Sequence, residues 1–349
     1  TVTAEDLSTR AYQVTVSETV LANVFTWTNT ASGNWSVAAN WTNEIANGEA
    51  PVGGGRSSYT LNFNEAGTYT ATNDLNAGFQ FNQLNLGGPT LTLAGNSLAF
   101  VTSGPTLPRI NQNSGSTVTI PNGLGLGNNT TFGGSGSGQV NLSGVISGAG
   151  SLTKNGSGTL RIYHVNNSFA GGTIINSGTL TIDINAKLGT GPVTLNGGTI
   201  YMWRTHPTNA LTVNGGTLLS ENGFGNSWDA PITLNADFDC NVFYTLICSG
   251  AISGTGGLNK RGNGPMTLSG VNTYTGPTTV TAGTLTCGNI SALGTGALSI
   301  ASPGVVDLNY TGTHFVPELT LDGAVMPPGT YGSSSSGSPS PDDTHFAGT

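Results

Sequence analysis

Short runs in which apolar and polar residues alternate predict β-strands along most of the chain. Leu180, Ile182 and Ile184 are each separated by one polar residue, and Val193 and Leu195 repeat the same spacing after an intervening turn. A period of two residues places one set of side chains on one face of a strand. Clusters of Gly, Asn and Ser bound these runs, so the pattern predicts an all-β protein built from short strands and turns.

A second pattern, with a longer period, predicts how the strands are arranged. A Gly-Thr-(Leu/Ile) triplet begins at Gly158, Gly178, Gly198, Gly216 and Gly283. The first four are spaced by 20, 20 and 18 residues, which is typical of stacked units that cannot bury their apolar faces alone. A unit of two or three strands fits one coil of a parallel β-solenoid. With about 4.8 Å between paired strands, the stretch from residue 80 to residue 307 predicts roughly ten or eleven coils, or about 50 Å of rod.

A longer segment is also written twice. Residues 143–195 recur as residues 249–300, so that Ser143 matches Ser249 and Leu188 matches Leu293. The offset falls from 106 to 105 residues between these two pairs, because one residue is missing near Asn272 in the second copy. The chain therefore contains two related blocks, and each block includes several of the shorter units.

The two blocks carry a resemblance to a known family. The runs GVISGAGSLTKNGSGTL and LGTGPVTLNGGTI of the first copy, and NTYTGPTTVTAGTL of the second, resemble the autotransporter-associated β-strand repeat, also called the passenger-associated transport repeat. The resemblance covers residues 140–310. It implies a secreted parallel β-helix of an outer-surface passenger or another extracellular protein, without implying one molecular activity. The family, together with the general rule for parallel crossovers, predicts a right-handed coil.

Composition and charge agree with this fold and exclude some partners. Gly is 54 of 349 residues and charged residues are 7%, against about 25% in ordinary globular domains. Gly suits coil corners that need positive φ, and Thr suits strands that face water. The net charge is −8 and no Lys/Arg run is present, so a nucleic-acid partner is not expected. We expect no membrane span, no cofactor, and a mature extracellular or surface protein whose secretion signal has been removed.

Changes in pattern predict four regions. Residues 1–24 form an arm with a strand signature, residues 25–79 a Trp-rich N-terminal cap, residues 80–310 the solenoid repeats, and residues 311–349 a C-terminal cap. In relatives of this type a strand usually follows the Ser-rich loop of the last region. That closing strand is expected to be missing here.

The arm and the missing strand together predict assembly. Tyr12, Val14, Val16 and Val20 are the expected anchors of a strand that one subunit adds to the open end of the next. Such a head-to-tail contact does not close on itself and would build a filament. The alternative is that the arm folds back on its own solenoid.

The tryptophans offer a different function. Trp27, Trp35 and Trp41 are expected to cover the first coil, since the end of a solenoid needs a cap. Their alternative role is to stack on sugars, and the same role is open to Trp203 and Trp228. The second functional hypothesis is therefore a monomeric adhesin or glycan-binding passenger.

The divergent stretch 201–247 is where an active site could lie. Asp237 and Asp239 are two residues apart and would share one strand face, as would Arg204 and His206. Paired carboxylates on neighbouring coils could cleave a polysaccharide or bind calcium, although two carboxylates on a strand are usually a solvated face. His164, His206, His314 and His345 have no metal-site spacing. We therefore expect no metal and no enzyme.

Three cysteines complete the candidate chemistry. Cys287 aligns with Ile182 of the first copy, which predicts a buried thiol acting as a small hydrophobic side chain. Cys240 and Cys248 could form a disulfide in an oxidising compartment. Taken together, the sequence predicts a secreted structural protein that self-assembles into a filament or surface matrix. An adhesin is the alternative, and a polysaccharide-cleaving enzyme is the third possibility.

Overall fold

Parallel strands stacked in three faces form this protein, in a computed structural model that describes residues 23–45, 48–222 and 225–348. Each coil passes through the three faces in turn, and the chain makes about twelve coils in all. This confirms the predicted all-β parallel β-solenoid. The helical segments of the described residues are two 3-10 turns of three residues, and no helix there is long and apolar enough to cross a bilayer.

The first face is a sheet of twelve strands. Its strands are Val24–Trp27, Trp41–Asn43, Thr60–Phe63, Gln83–Leu86, Arg109–Gln112, Thr130–Gly133, Leu152–Lys154, Thr173–Ile175, Val193–Leu195, Leu211–Val213, Ile232–Leu234 and Ile252–Gly254. The second face has fifteen strands. They are Gly33–Asn34, Tyr69–Asn73, Leu91–Gly95, Val118–Ile120, Gln139–Leu142, Thr159–Ile162, Thr179–Ile182, Thr199–Trp203, Thr217–Asn222, Phe238–Val242, Leu258–Arg261, Thr278–Val280, Leu298–Ile300, Leu319–Leu321 and Ala324–Val325.

The third face consists of two sheets in succession. The first holds Phe79–Phe81, Leu98–Phe100, Leu124–Leu126 and Ile146–Ser147, and the second holds Asn226–Trp228, Leu246–Cys248, Met266–Leu268, Thr284–Cys287, Val305–Leu308 and Phe346–Ala347. Irregular segments between them keep the stacking, as in the bond from Ser168 N–H to the Ile146 carbonyl. Outside the faces lie a small sheet of Tyr331–Gly332 with Ser340–Pro341 and the 3-10 turns Ala38–Asn40 and Ser334–Ser336.

The core runs along the axis because every coil turns the same positions inward. On the second face Leu160, Leu180 and Ile200 stand in register on three successive coils, and all three are buried. Their neighbours alternate outward, as the two-residue period predicts. Ile184, which the same period placed inward, is instead 45% exposed. The strand ends at Ile182 and the chain turns through Asn185, whose φ is +56°.

A short strand of the same chain ends one face at each end of the ladder. At the start, Trp41–Asn43 pairs antiparallel with Val24–Trp27, which in turn pairs parallel with Thr60–Phe63. The parallel ladder thus begins near Val24 and includes most of the region predicted as a separate cap. At the other end, Phe346–Ala347 pairs parallel with Val305–Leu308. The prediction that the closing strand is missing was therefore wrong.

The duplicated block occupies different faces in its two copies. Leu152–Lys154 lies on the first face, whereas its counterpart Leu258–Arg261 lies on the second. The next pair is displaced in the same way: Thr159–Ile162 lies on the second face and Met266–Leu268 on the third. Five coils separate Leu152 from Ile252 on the first face. The offset of about 105 residues therefore equals five coils and one additional face.

Candidate functional site

In each copy of the block, a buried lysine at one corner links two successive coils. Lys154 and Lys260 are 3% and 0% exposed, although neither has an acidic partner among its hydrogen bonds. The ammonium group of each instead donates to three main-chain carbonyls, two from its own coil and one from the next. For Lys154 these belong to Asn155, Gly156 and Ser177, and for Lys260 to Arg261, Gly262 and Ala282.

Burial lowers the pKa of both lysines to about 8, because the charged form loses hydration. The three carbonyl dipoles compensate for part of that loss. At neutral pH each lysine is therefore a cation that ties two coils together through main-chain atoms. A neutral side chain of similar length would leave those carbonyls without their donor.

A buried asparagine makes the second fastening, again in both copies. The Asn167 side chain accepts from Ile146 N–H at 2.8 Å and donates to the Lys187 carbonyl at 2.9 Å. Asn272 repeats this arrangement with Ile252 N–H and the Ala292 carbonyl. The two lysines and the two asparagines therefore stabilise the interior of the repeat. All four are buried, so none is exposed for contact with a ligand.

An outward-facing group of side chains on the second face differs from this interior machinery. We call it the aromatic–arginine cluster: Arg161, Tyr163, Asp183, Tyr201 and Trp203. Each of its members is buried or half-buried. The Arg161 guanidinium carbon lies 4.6 Å from the Trp203 ring centroid and 4.8 Å from that of Tyr163. Tyr201 meets Trp203 edge-on, with ring centroids 6.4 Å apart.

Charge is balanced within the aromatic–arginine cluster. Arg161 Nε donates to Asp183 Oδ2 at 2.6 Å and Nη2 also contacts that oxygen. The Arg161 side chain is 21% exposed and that of Asp183 is 9% exposed. Burial raises the pKa of the Tyr163 hydroxyl, Arg161 opposes this rise and Asp183 adds to it. The cluster is therefore a neutral surface of rings that carries a fixed, paired guanidinium.

Strand register explains how distant residues meet here. Arg161, Thr181 and Tyr201 are stacked on three successive coils of the second face. Tyr163 and Asp183 follow two residues later on their coils, where their N–H groups still bond to the coil before. At Trp203 the pairing with the next strand shifts by one residue, and such bulges redirect side chains. The 20-residue period contained this signal, because 161, 181 and 201, and 163, 183 and 203, fall into two columns.

Four of the five predicted sugar-stacking tryptophans are in the core. Trp27, Trp35 and Trp228 are fully buried, and Trp41 is 4% exposed. The rings of Trp27 and Trp41 pack edge-on with centroids 5.1 Å apart, and Trp228 Nε1 donates to the Asn209 carbonyl at 3.0 Å. Stacking on a sugar needs an exposed ring face, so the glycan-binding role was wrong for these four. Trp203 alone of the five lies at the surface.

The predicted catalytic pairs are not gathered into one site. Asp239 contacts Arg261 at 3.2 Å and accepts from Asn259, while Asp237 accepts from Gly257 N–H. Arg204 has φ of +52° and is exposed. His206 bonds to Ser227 Oγ at 2.8 Å. Within the described residues no three His, Cys, Asp or Glu side chains come together in a metal-binding group.

The cysteines do not form the disulfide that the sequence left open. Cys240, Cys248 and Cys287 are all free and buried. Burial raises the pKa of Cys248 and Cys287 to about 12 and that of Cys240 well above its usual value. Cys287 thus has the inward position predicted from its alignment with Ile182. The predicted assembly residues Tyr12, Val14, Val16 and Val20 lie outside the described residues.

Comparison with known proteins identifies the repeated motif. Residues 152–182 and 258–286 match the passenger-associated-transport-repeat family. A protein named as adhesin BmaC autotransporter, from Brucella suis biovar 1 (strain 1330), is 35% identical over 134 residues, which are 37% of this chain. The chain spans only 4% of that relative's length. No solved structure matches the chain.

The matched segments coincide with the structural units described above. Residues 152–182 contain Lys154 and Asn167, and residues 258–286 contain Lys260 and Asn272. The repeat predicted from the sequence is confirmed by the family match and by the adhesin relative. This chain is a parallel β-solenoid that carries passenger-associated transport repeats.

Proposed function

We propose that this chain is part of an extracellular, adhesin-type passenger that binds a glycan through the aromatic–arginine cluster. The passenger repeat and the adhesin relative support secretion to the cell surface and an adhesive role. They also favour a binding protein over an enzyme. One observation carries the assignment to this surface: Trp203 and Tyr163 flank Arg161, which is itself held by Asp183.

The chemistry of the cluster suits a sugar ring. The apolar C–H face of a pyranose packs on an aromatic face, while hydroxyl groups bond to guanidinium and carboxylate edges at its rim. Trp, Tyr and Arg are also the residues that most often dominate binding energy at interfaces. Because Asp183 neutralises Arg161, the cluster has no net charge with which to attract a strongly anionic polymer.

Glycan-array binding of the full chain tests this function. Trp203→Ala should reduce retention of the bound glycan by about tenfold or more, as expected for a central aromatic contact. Phe243→Ala is the matched control, since it removes another surface aromatic side chain, 46% exposed, outside the cluster. Equal binding by the wild type and the Trp203 variant, with unchanged circular dichroism, would rule out the cluster as the binding surface.

A filament formed by strand addition is the second candidate and stays a prediction. Its anchors belong to residues 1–22, and the described ladder ends already pair with strands of their own chain. In the described strand order Trp41–Asn43 and Phe346–Ala347 are the last strands of their sheets, so an incoming strand would add beside one of them. Negative-stain microscopy of the full chain and of a form lacking residues 1–22 separates the two functions. Filaments from the full chain alone would favour assembly, and isolated rods from both would favour the adhesin.

A further inference from the structure

The outward side chains of the first face form a regular column on five successive coils. Each comes from the middle of a three-residue strand and is in register with the one before it. In chain order they are Thr153, Ile174, Thr194, Thr212 and Thr233. The pairing runs through these coils without the register shift that occurs at Trp203 on the second face. The backbone therefore fixes the spacing of these side chains.

A column of asparagines runs beside the threonines, two residues further along each coil. Asn176 Nδ2 donates to Asn155 Oδ1 at 2.8 Å, and Asn196, Asn214 and Asn235 repeat this bond to the coil before at 2.7 to 2.8 Å. An amide has two N–H groups and two lone pairs. Each of the three central asparagines therefore keeps one N–H and one lone pair for a partner outside the protein. We call the two columns the threonine–asparagine array.

The threonine hydroxyls of the array also point away from the protein. Across the part of the chain that the structure describes, Oγ1 of Thr194, Thr212 and Thr233 has no hydrogen-bond partner. Thr233 is exposed and the other two are half-buried. The array thus presents hydroxyl and amide groups to solvent at fixed positions.

The repeat itself does not require these asparagines. The positions of the second copy, and of the residue directly after it, that match Asn155, Asn176 and Asn196 hold Arg261, Thr281 and Ala301. Asparagine ladders can stabilise stacked parallel strands, but the strands of the second copy stack in register without one. The array is therefore a property of the first face and not of the repeat.

The chemistry of the array restricts what it can bind. Its five strands contain one charged residue, Lys154, whose side chain is buried, and no aromatic residue. A crystalline polysaccharide would need aromatic faces for its sugar rings, and an ionic ligand would need opposite charge. The array instead suits a neutral ligand that forms hydrogen bonds at a regular spacing in two dimensions.

The two spacings of the array are close to those of ice. Successive coils are about 4.8 Å apart, and residues two apart on a parallel strand are about 6.6 Å apart. In ice each oxygen is bonded tetrahedrally at about 2.75 Å, which places oxygens about 4.5 Å apart along one axis of a prism plane and about 7.3 Å apart along the other. The corresponding spacings agree to about a tenth. Waters bound by the hydroxyls and amides therefore lie near the positions of an ice lattice.

We propose that the threonine–asparagine array is an ice-binding surface. Its hydroxyl and amide groups order a layer of water that matches a face of an ice crystal, and this layer joins the protein to the crystal. The array lies on the first face and the aromatic–arginine cluster on the second. The inference therefore goes beyond the proposed glycan function and does not rest on it.

Thermal hysteresis and ice-crystal shape, measured for the full chain in a nanolitre osmometer, test this surface. The wild type should lower the freezing point below the melting point and produce faceted crystals. Thr212→Tyr places a large ring in the middle of the array, so both effects should be lost because ice can no longer approach the neighbouring threonines. Thr279→Tyr is the matched control, since it makes the same change at an outward, half-buried threonine of the second face, and it should keep full activity. No effect of the wild type on ice, or equal activity in Thr212→Tyr, would overturn the proposal.

Two further measurements separate a loss of ice binding from misfolding and from a different ligand. Thr233→Tyr changes an exposed position of the same array, so it should keep the wild-type circular dichroism and still reduce thermal hysteresis. Trp203→Ala should retain ice activity even where it loses glycan binding. Sedimentation with crystalline cellulose or chitin tests the other periodic ligand. Binding to these solids that Thr212→Tyr loses, with no effect of the wild type on ice, would assign the array to a polysaccharide and overturn the inference.

Discussion

The two copies of the repeat share their interior and differ at their surface. Lys154 and Lys260 make equivalent bonds, as do Asn167 and Asn272, although the copies lie on different faces of the solenoid. The outer positions differ: where the first copy has Arg161, Tyr163 and Asp183, the second has Thr267, Ser269 and Gly288. The interior contacts are local to a corner, so the motif can be placed on any face. The surface positions can therefore differ between the copies, and the proposed glycan site combines residues of the first copy with Tyr201 and Trp203 beyond it.

The strongest test of this comparison replaces the buried lysines. Lys154→Met and Lys260→Met should each lower the free energy of unfolding by about 3 kcal/mol, since each removes a buried charged donor from three partly buried carbonyls. Urea denaturation followed by circular dichroism measures both. The two values should be similar. A large cost for one lysine and a negligible cost for the other would contradict the equivalence of the two corners.

The asparagine contacts should give a smaller effect of the same kind. Asn167→Ala and Asn272→Ala each leave one buried N–H and one carbonyl without their side-chain partner, at a cost of about 2 kcal/mol. The same denaturation measurement applies. Asn196→Ala, at an exposed position directly after the first copy, is a control that should change the free energy of unfolding by about 0.5 kcal/mol or less. If the control cost as much as the buried pair, burial would not explain the role of the asparagines.

Particular residues show how far the sequence could predict this structure. Alternation and the 20-residue period predicted the coil, and they placed Leu180, Ile182 and Cys287 in the core. They did not predict that the second copy is shifted by one face. The contacts of the motif involve only one corner and the next coil, so the motif itself does not specify which face it occupies. Trp27 was expected to cover the first coil, with sugar stacking as the alternative, and its fully buried ring rules out that alternative.

The aromatic–arginine cluster was only partly predicted for a related reason. Trp203 was among the proposed sugar-binding residues, but Arg161 and Asp183 were not. Their proximity arises from stacking across three coils, and the sequence shows it only when the exact coil length is known. The lengths vary, since successive register offsets on the second face include 22, 20 and 18 residues. Through the cluster itself the offset is 20 residues at each step, so the columns follow from the sequence only when the period is applied to the outward positions as well as to the apolar ones.

Cys287 offers a pH-dependent test of the interior of the second copy. Burial raises the pKa of its thiol from 9.0 to about 12. Between those values the unfolded chain loses the proton while the folded chain keeps it, so this thiol makes the free energy of unfolding fall as the pH rises. The loss is about 1.4 kcal/mol per pH unit, or about 2 kcal/mol by pH 10.5.

The matched variant is Cys287→Ile, which installs the residue found at position 182 of the first copy. Its unfolding free energy should fall less steeply than that of the wild type between about pH 9 and about pH 11. Only the slope is compared, because the larger side chain can change stability equally at every pH. Parallel curves for the two proteins would contradict a buried, protonated thiol at this position.

The smallest expected change in stability comes from giving the first copy the surface of the second. The triple variant Arg161→Thr, Tyr163→Ser and Asp183→Gly removes the paired charges together, so no ion is left alone in a partly buried position. We expect a loss of about 1 kcal/mol, the scale of a partly exposed ion pair and its ring contacts. Glycan binding should disappear while the denaturation midpoint moves little. If glycan binding were retained, the proposed binding site would not involve Arg161, Tyr163 or Asp183. A loss of several kcal/mol in the free energy of unfolding would show that these side chains stabilise the fold as strongly as the buried lysines do.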